Sequence, residues 1–565
     1  GPAWHSAQAG SEGTQYFAGK RMINMTDVVS DKKKKLFFVT VMAVILLMQL
    51  ALFCYYGNRK TGFHEDELYT YYSTNKTAGL FVSDRQWLMR DQLRNDFVVL
   101  PGEEFRYNVV KQMQSWDVHP PLYYYLIHTI CSLTPGVFSK WQGIGLNLLG
   151  YVFSYLLLAY VTYTAASGKK DSTRGRLLAL LVCAGWGFSG AVISGVMFIR
   201  MYQWLTMWIL LCLAIHLRAV KKQDFRIRCF LLPLGLTVFA GFLTQYYYII
   251  FHCFLGLAFC LYLLRGKKIR EFISYVITCF LGLASALLYY PSALSHIFRG
   301  YRGTEAVSEF GNVSNTGDRL RFFYGLFDDY VMYDTLTLWI LVIVLLAVTV
   351  HFLKKRGKVS DNVFNSSVGL IAVPVAGYFF TVSKTALLLG ETSNRYQLPI
   401  YGLLLFLLLY FTWCCLWQVL EAFGVQRSSL GIPAGLFLVV LLLIDGLALR
   451  DGRVFFLYEE QTAEKEFVRE NTDVPVVVFY NEASGDHIWW LSDELMEFPE
   501  VYLASEENRE PITDKKLIDS KRVLAYVADG DYSNVALEEF LAVNTHLTSF
   551  EKIAEREAWT LYELR

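Results

Sequence analysis

Long apolar runs alternate with short polar segments between about residues 36 and 450. Each run has about 20 residues, and an α-helix of that length crosses a hydrocarbon core of about 30 Å. The pattern therefore predicts a polytopic α-helical membrane protein with about 11 transmembrane helices. The predicted spans are 36–56, 141–166, 177–198, 203–217, 229–245, 247–264, 272–292, 334–353, 366–383, 398–420 and 431–449.

Basic residues between the runs predict the orientation. With the lysines at 32–35, the loops near 167–176, 218–228, 265–271, 354–361 and 421–430 carry 22 basic residues. The short connections on the other side hold only Arg200, Lys384 and Arg395. Because Lys and Arg concentrate on the cytoplasmic side, we expect a multi-pass plasma-membrane protein with a cytoplasmic N-terminus. Two long loops, about 57–140 and 293–333, then lie outside.

One apolar segment in the first outer loop is too short to cross a membrane. Residues 121–134 contain three tyrosines and a histidine. Counting this segment as a span would reverse every later loop, so we predict a helix lying at the outer surface. Tyrosines suit such an interfacial position.

The part after the last run, residues 451–565, predicts a small extracytoplasmic α/β domain. Strands are expected at 474–480, 522–528, near Phe550 and at 559–564, with helices at 464–470 and 534–541. We interpret this part as a domain that packs against the membrane module or handles the acceptor.

Residues 1–21 show no periodicity and begin with Gly-Pro, which is typical of a tag remnant. The transmembrane module is then 22–450.

Composition supports a membrane protein and narrows its partners. Hydrophobic residues make up 54% of the chain and charged residues 18%, against about 25% charged in soluble proteins. A net charge of +1 gives no reason to expect a nucleic-acid partner. The ten cysteines lie between Cys54 and Cys415, mostly in apolar runs, and their spacing predicts neither a zinc site nor a disulfide framework.

Three adjacent carboxylates, Glu65, Asp66 and Glu67, follow the first span. They are compatible with a simple solvated loop. They are also compatible with a catalytic site in which Asp66 removes a proton from a sugar hydroxyl, because that hydroxyl is a weak nucleophile. His119, fixed by the two prolines that follow it, is either structural or part of the same site.

The scarce outer cations are a third candidate. Arg200, Lys384 and Arg395 each stand at the predicted outer end of a span. Each could extend its charge to the headgroups, or the three could converge on a lipid phosphate, whose charge needs stabilisation as it leaves. The tyrosines at 246–248 are compatible with an aromatic belt or with a surface for a sugar or lipid.

These motifs together resemble a known family. Asp66-Glu67, His-Pro-Pro-Leu-Tyr-Tyr at 119–124, Arg-Met-Tyr at 200–202, Thr-Gln-Tyr-Tyr at 244–247 and Arg-Tyr-x-x-Pro at 395–399 occur in this order. The chain thus resembles bacterial GT-C glycosyltransferases, in the clan of protein O-mannosyltransferases and the lipid A aminoarabinose transferase. It departs from them at His119, where the aminoarabinose transferase has lysine, and at Gln245, where histidine is usual. No second aspartate stands beside Arg200.

The resemblance implies a GT-C fold and an inverting transfer from a polyprenyl-phosphate sugar. Its acidic base falls on Asp66, with Glu67 beside it. Its donor-phosphate and substrate contacts fall on Arg200, Lys384, Arg395, His119, Tyr202, Tyr246 and Tyr396. The sequence leaves the acceptor open among a glycolipid, a cell-wall polymer and a protein.

No nucleotide or other cofactor is required for this reaction, and no metal site is predicted. A divalent ion bridging Asp66, Glu67 and His119 remains compatible with the sequence. Two other functions are also open: a polymerase or ligase that uses a lipid-linked glycan chain, and a lipid flippase or transporter. Transporters often contain internal repeats and ionisable residues near the midplane of the bilayer, and the chain shows neither clearly.

Overall fold

The computed structural model describes residues 12–76, 83–168, 172–359, 365–425, 431–481, 488, 490–529, 533–544, 546–556 and 558–565. The chain divides into two compact units, residues 1–52 and 53–565. In its described part, the first unit is helical. Residues 1–11 of the predicted tag remnant lie outside the described residues, and the helix begins at Glu12.

The first span and first outer loop contain α1 (Glu12–Arg59), α2 (Glu65–Asn75), β1 (Gln86–Met89), α3 (Arg90–Arg94), α4 (Tyr107–Trp116) and α5 (Leu122–Leu133). Then come α6 (Lys140–Ala166), α7 (Thr173–Gly187), α8 (Gly190–Met197), α9 (Tyr202–Lys222), α10 (Leu232–Thr244), α11 (Tyr248–Arg265) and α12 (Ile269–Tyr289).

The second outer loop contains α13 (Ser292–Phe298), α14 (Tyr301–Gly311) and α15 (Thr316–Phe327). The last membrane helices are α16 (Leu336–Lys355), α17 (Ser366–Thr385), α18 (Asn394–Ala422) and α19 (Gly431–Arg450). The C-terminal part contains α20 (Gln461–Glu470), β2 (Val476–Tyr480), α21 (Ser492–Leu495), β3 (Glu500–Ser505), α22 (Lys515–Ile518), β4 (Val523–Ala528), α23 (Ser533–Val543), β5 (Phe550–Arg556) and β6 (Trp559–Leu564).

The predicted multi-pass helical architecture is confirmed. Among the described residues, 10 helices are long and apolar enough to cross a membrane. In addition, α7 and α8, which cover the span predicted at 177–198, pass the same test as a pair but are bent by 60°. The break falls at Phe188 and Ser189, and a Cβ on Gly190 would lie 1.9 Å from the carbonyl oxygen of Arg453.

The short helix predicted at 121–134 is present as α5. We expected its tyrosines to lie at the membrane interface, but two of the three are buried inside the protein. Tyr123 and Tyr124 are fully buried, because α5 packs against α2, α6 and α10. Tyr125 alone is partly exposed, and its hydroxyl lies 2.9 Å from that of Tyr289. The burial of α5 brings Tyr124 into the candidate site described below.

The predicted C-terminal α/β fold is also confirmed, with two strands that the sequence analysis did not predict. The sheet has six strands in the order β1-β3-β2-β4-β6-β5. The central strand β2 is parallel to β3 and β4, and the remaining pairs are antiparallel. All five residues of β2 are buried, because apolar clusters cover both faces of the sheet. Burial on both faces explains the unbroken apolar run in its sequence.

The unexpected edge strand β1 comes from the first outer loop. It pairs with β3 in a register that places Trp87 opposite Tyr502. Arg90 strengthens the junction, since its side chain donates to the carbonyl oxygens of Glu497 and Phe498. The first outer loop and the C-terminal part therefore share one sheet.

The segment between α19 and α20 fixes the C-terminal part against the membrane module. The backbone N–H of Phe455 donates to Ser194 in α8 over 3.0 Å, and the N–H of Thr61 donates to the carbonyl of Leu457 over 2.8 Å. The ring of Phe456 stacks on Phe198 with centroids 4.0 Å apart. These contacts form one wall of the candidate site.

A buried arginine–carboxylate cluster as the candidate active site

Asp66 is held in the first turn of α2 by a capping box. The His64 ring accepts the N–H of Asp66 at Nδ1 over 3.1 Å, and Glu67 accepts the N–H of His64 over 2.7 Å. Such reciprocal bonds satisfy backbone donors at the start of a helix. The capping box thus fixes the backbone that carries Asp66.

Glu67, the predicted catalytic neighbour of Asp66, is engaged on both oxygens. It is fully buried; Oε2 accepts the Lys60 ammonium over 2.9 Å, and Oε1 accepts the backbone N–H of Ile199 over 2.8 Å. Lys60 is also fully buried and donates to the carbonyl of Phe456. Glu67 therefore ties three separate chain segments together beside Asp66.

Arg395 and Arg200 converge on the Asp66 carboxylate. Arg395 Nη1 donates to Oδ2 over 2.7 Å, and Arg200 Nη2 lies 3.7 Å from Oδ1. The two arginines are 5% and 2% exposed, whereas the Asp66 side chain is 28% exposed. Two desolvated cations thus share one partly accessible carboxylate.

Arg200 makes further polar contacts that fix its plane. Nη1 donates to Thr70 Oγ1 and to Tyr124 Oη, each over 3.0 Å, and Nη2 donates to His119 Nε2 over 3.0 Å. The Nε–H groups of Arg200 and Arg395 have no hydrogen-bond partner among the described residues. Buried donors without partners are uncommon, and these two adjoin the same carboxylate.

His119 connects Arg200 to a second aspartate. Its Nδ1 lies 2.6 Å from Asp117 Oδ2. A guanidinium can only donate, so Nε2 must accept from Arg200 and the ring proton resides on Nδ1, where it is donated to Asp117. The tyrosine hydroxyl of Tyr290 donates to the carbonyl of His119 over 3.3 Å and holds the loop in place.

The charges of the arginines determine the protonation of Asp66. Burial raises the pKa of this carboxyl, but the charges of Arg200 and Arg395 outweigh burial and hold the pKa well below its usual range. Burial lowers the pKa of His64 to about 4, so its ring is neutral at pH 7. In the molecule as it stands, Asp66 is an ionised but weak base because its negative charge is already compensated.

Aromatic rings surround the Arg395 guanidinium. It lies 5.3 Å from the centroid of Phe198 and 5.1 Å from that of Tyr396. Tyr202 packs edge-on against Tyr396 with centroids 5.7 Å apart, and Tyr247 lies 6.1 Å from the same ring. Of the predicted substrate-contacting tyrosines, Tyr202 and Tyr396 therefore belong to the cluster.

Lys384 and Tyr246 lie against the second outer loop instead. Lys384 is 2% exposed, and its ammonium donates to Asn315 Oδ1 over 2.7 Å and to Thr316 Oγ1 over 3.1 Å. The Tyr246 hydroxyl lies 2.9 Å from His296 Nδ1. The structure thus brings Asp66, Arg200, Arg395 and His119 together. It places Lys384 at the N-terminus of α15.

Sequence reasoning missed several members of the cluster. Asp117 stands two residues before His119, and that spacing was the available signal for a carboxylate–imidazole pair. Tyr124 was assigned to an interface, and its burial follows only from the packing of α5. Phe456 lies far away in the sequence, and nothing in the local pattern connects it with Phe198.

The three side chains considered for a bridging ion point in different directions. Glu67 faces Lys60, and both ring nitrogens of His119 are occupied by Asp117 and Arg200. In the described part of the chain, no group of three or more His, Cys, Asp or Glu side chains is placed to hold a metal ion. The cluster as arranged is suited to binding an anion rather than a cation.

Comparisons with known proteins give a limited picture. No protein-family model and no curated protein matches the chain. Among solved structures, ArnT from Cupriavidus metallidurans bound to undecaprenyl phosphate is similar over 94% of this chain and 97% of ArnT, at 13% identity and a TM-score of 0.48. ArnT from the same organism in the apo state covers 88% and 96%, at 11% identity and a TM-score of 0.45. The chemistry of the site has to follow from its own residues.

Proposed function

We propose that this protein is an inverting glycosyltransferase that moves a monosaccharide from a polyprenyl-phosphate carrier to an acceptor hydroxyl on the extracytoplasmic face. The observation that carries the proposal is the convergence of Arg200 and Arg395 on Asp66. Their order in the chain resembles the pattern of GT-C glycosyltransferases described above, although His119 replaces the lysine of the aminoarabinose transferase.

The cluster has the charge and the free donors that a phosphodiester needs. Arg200 and Arg395 carry two positive charges against the one negative charge of Asp66 in direct contact, and each retains an unpartnered Nε–H. Guanidinium groups bind phosphate oxygens through parallel N–H donors. A phosphate that takes up these donors weakens the pairing of Asp66 and makes the carboxylate a stronger base. Donor binding and base activation are then one event.

The bond changes follow from this arrangement. The acceptor oxygen attacks the anomeric carbon on the face opposite the phosphate, and its proton passes to Asp66. The bond from the anomeric carbon to the phosphate oxygen breaks, and its electron pair leaves with the phosphate, whose charge is stabilised by Arg200 and Arg395. The products are a glycoside of inverted configuration and free polyprenyl phosphate.

Replacing Asp66→Asn tests the proposal. We expect transfer to fall by at least about 100-fold, a typical size for the loss of a general base, while binding of polyprenyl phosphate becomes tighter because the arginines lose their competing carboxylate. Release of polyprenyl phosphate from a panel of lipid-phosphate sugars and binding of radiolabelled polyprenyl phosphate measure the two effects.

Asp96→Asn is the matched control, since Asp96 is also a first-loop aspartate and pairs with Lys76 outside the cluster. It should leave both quantities unchanged. Normal turnover in the Asp66→Asn protein, or loss of lipid-phosphate binding together with turnover in a protein of unchanged Tm, would refute the assignment of Asp66 as the base.

A further inference from the structure

A cavity lies beside His64, where residues 63–68 of the first outer loop meet the C-terminal part. Its volume is about 340 Å³, and its lining includes His64, Glu65, Tyr458, Glu464, Trp490 and Trp559. Ligand pockets of proteins usually fall between about 300 and 1,000 Å³. The cavity therefore has the size of a site for one small ligand unit.

The charged side chains that line the cavity among the described residues are acidic. Six carboxylates, those of Glu65, Glu460, Glu464, Asp493, Glu494 and Glu555, contribute to this described part of the wall, and no lysine or arginine whose side chain is described does. Some already accept hydrogen bonds from the protein, as Asp493 does from Lys465 and Glu494 from Tyr526. The resulting negative potential disfavours a phosphate and favours a ligand that offers hydroxyl or ammonium donors.

An unpaired indole donor provides an independent sign of a ligand. Trp559 lines the cavity and is fully buried, and its Nε1–H has no hydrogen-bond partner among the described residues. Buried tryptophan N–H groups normally find an acceptor. The partly exposed rings of Trp490 and Tyr458 add aromatic surface of the kind on which an apolar sugar face can stack. Aromatic surface, carboxylate acceptors and an indole donor together suit a sugar ring.

His64 connects the cavity to the candidate active site. Its Nδ1 accepts the N–H of Asp66 and lies 3.7 Å from Asp66 Oδ2, so the neutral ring carries its proton on Nε2. The same ring forms part of the cavity wall. A ligand seated there is thus separated from the proposed base by one side chain.

We propose that this cavity holds the terminal sugar of the acceptor, a neutral or amine-bearing glycan unit whose reacting hydroxyl extends past His64 towards Asp66. The assignment deepens the proposed function and rests on it. It places the donor phosphate and the acceptor in two sites of opposite charge, so that each excludes the other's ligand.

Binding of small probes to the full-length protein tests this inference. Methyl glucoside, methyl glucosaminide and glucose 6-phosphate would each be titrated by saturation-transfer NMR in detergent. We expect at least one of the first two probes to bind and glucose 6-phosphate to bind at least tenfold more weakly. Glu464→Gln and Trp490→Ala should each weaken binding of the sugar at least tenfold, and the Kd for polyprenyl phosphate should not change.

Two substitutions outside the cavity serve as controls: Glu500→Gln, an acid on the same sheet that pairs with Lys516, and Trp116→Ala, whose side chain is exposed. Neither should change sugar binding. The inference is overturned if the phosphorylated probe binds as well as the neutral ones, if no probe binds, or if the cavity variants bind sugar normally. Asp66→Asn separates the two proposals, because it should abolish transfer and leave sugar binding intact.

Discussion

Asp66 has a different environment from that of a free general base. Its charge is compensated by Arg395 and Arg200, and its backbone N–H is held by His64. Without a bound donor, the Asp66 carboxylate stabilises the two buried arginines. Under the proposed function it becomes a proton acceptor when a second anion, the donor phosphate, takes up the arginine N–H groups. Pairing therefore protects the fold and suppresses the base at the same time.

The neutral His64 ring makes stability depend on pH in a defined direction. The pKa of His64 is about 4 in the folded protein and about 6.5 in the unfolded chain. The contribution of the neutral ring to the free energy of unfolding is therefore complete above pH 6.5, and it is lost as the pH falls towards 4. The slope is at most about 1.4 kcal/mol per pH unit. We expect Tm to fall more steeply between pH 7 and pH 4.5 in the wild type than in His64→Asn.

Asparagine is the appropriate replacement because it also caps helix starts. Tm would be recorded in detergent at half-unit steps of pH for both proteins. Parallel curves would mean that His64 is protonated as easily in the folded state as in the unfolded chain, against the burial seen in the structure.

At the scale of elements, the approach of the chain at Arg453 to α8 decides where the C-terminal segment lies. Gly190 permits this contact, since any Cβ there would lie 1.9 Å from a backbone oxygen. Gly190→Val should displace the segment, separate Phe456 from Phe198 and lower both Tm and turnover. The size of the effect should resemble other cases of core overpacking, about 1–3 kcal/mol.

The matched control is Gly435→Val in α19, where nothing lies within 4 Å of the added Cβ. Thermal unfolding and turnover would be measured for both variants. Equal behaviour of the two proteins would show that the close approach at Gly190 does not hold the wall of the site.

The length of the apolar runs predicted most elements, because crossing a bilayer is a local property of about 20 residues. The strands β2 and β4 could be predicted as well, since burial on both faces leaves a continuous apolar sequence. By contrast, β1 has only four residues, and its pairing with β3 joins segments about 400 residues apart in the chain. The close approach of the Arg453 carbonyl to Gly190, just after the break between α7 and α8, likewise joins distant segments, and the local pattern at Gly190 cannot reveal it.

Part of the candidate site could also be predicted from the sequence. Asp66 could be selected from three adjacent carboxylates, and His119 from the two prolines that follow it. Arg200 and Arg395 could be selected because cations are scarce at the predicted outer ends of the spans, and all four residues are near one another in the structure. Lys384 satisfied the same criterion, yet its ammonium is taken up by Asn315 and Thr316. Scarcity identifies candidates, whereas only the fold decides which of them meet.

At the scale of the whole molecule, the proposed function predicts that binding of the donor changes the acid limb of the pH–rate profile. In the free protein the pKa of Asp66 is held well below its usual range by the arginines, so kcat/KM should stay constant down to about pH 4. In the donor complex the phosphate competes for the arginines and the pKa of Asp66 rises. The acid limb of kcat, which reports the complex, should therefore lie at higher pH.

Steady-state rates between pH 4 and pH 8 with one lipid-phosphate sugar test this expectation. Arg395→Lys should reduce the separation of the two limbs, because a single ammonium holds Asp66 and phosphate less firmly than a planar fork. Coincident limbs in the wild type would mean that Asp66 keeps both arginine partners throughout turnover.

The pairing of β1 with β3 imposes an order on biogenesis. Residues 86–89 are made early in synthesis, yet their partner at 500–503 is made only after all the later spans. An unpaired edge strand is prone to pairing with other chains. During that interval a chaperone would need to protect the unpaired strand of the nascent chain. A C-terminal fragment produced alone would expose β3 as an unpaired edge strand and would be prone to aggregate.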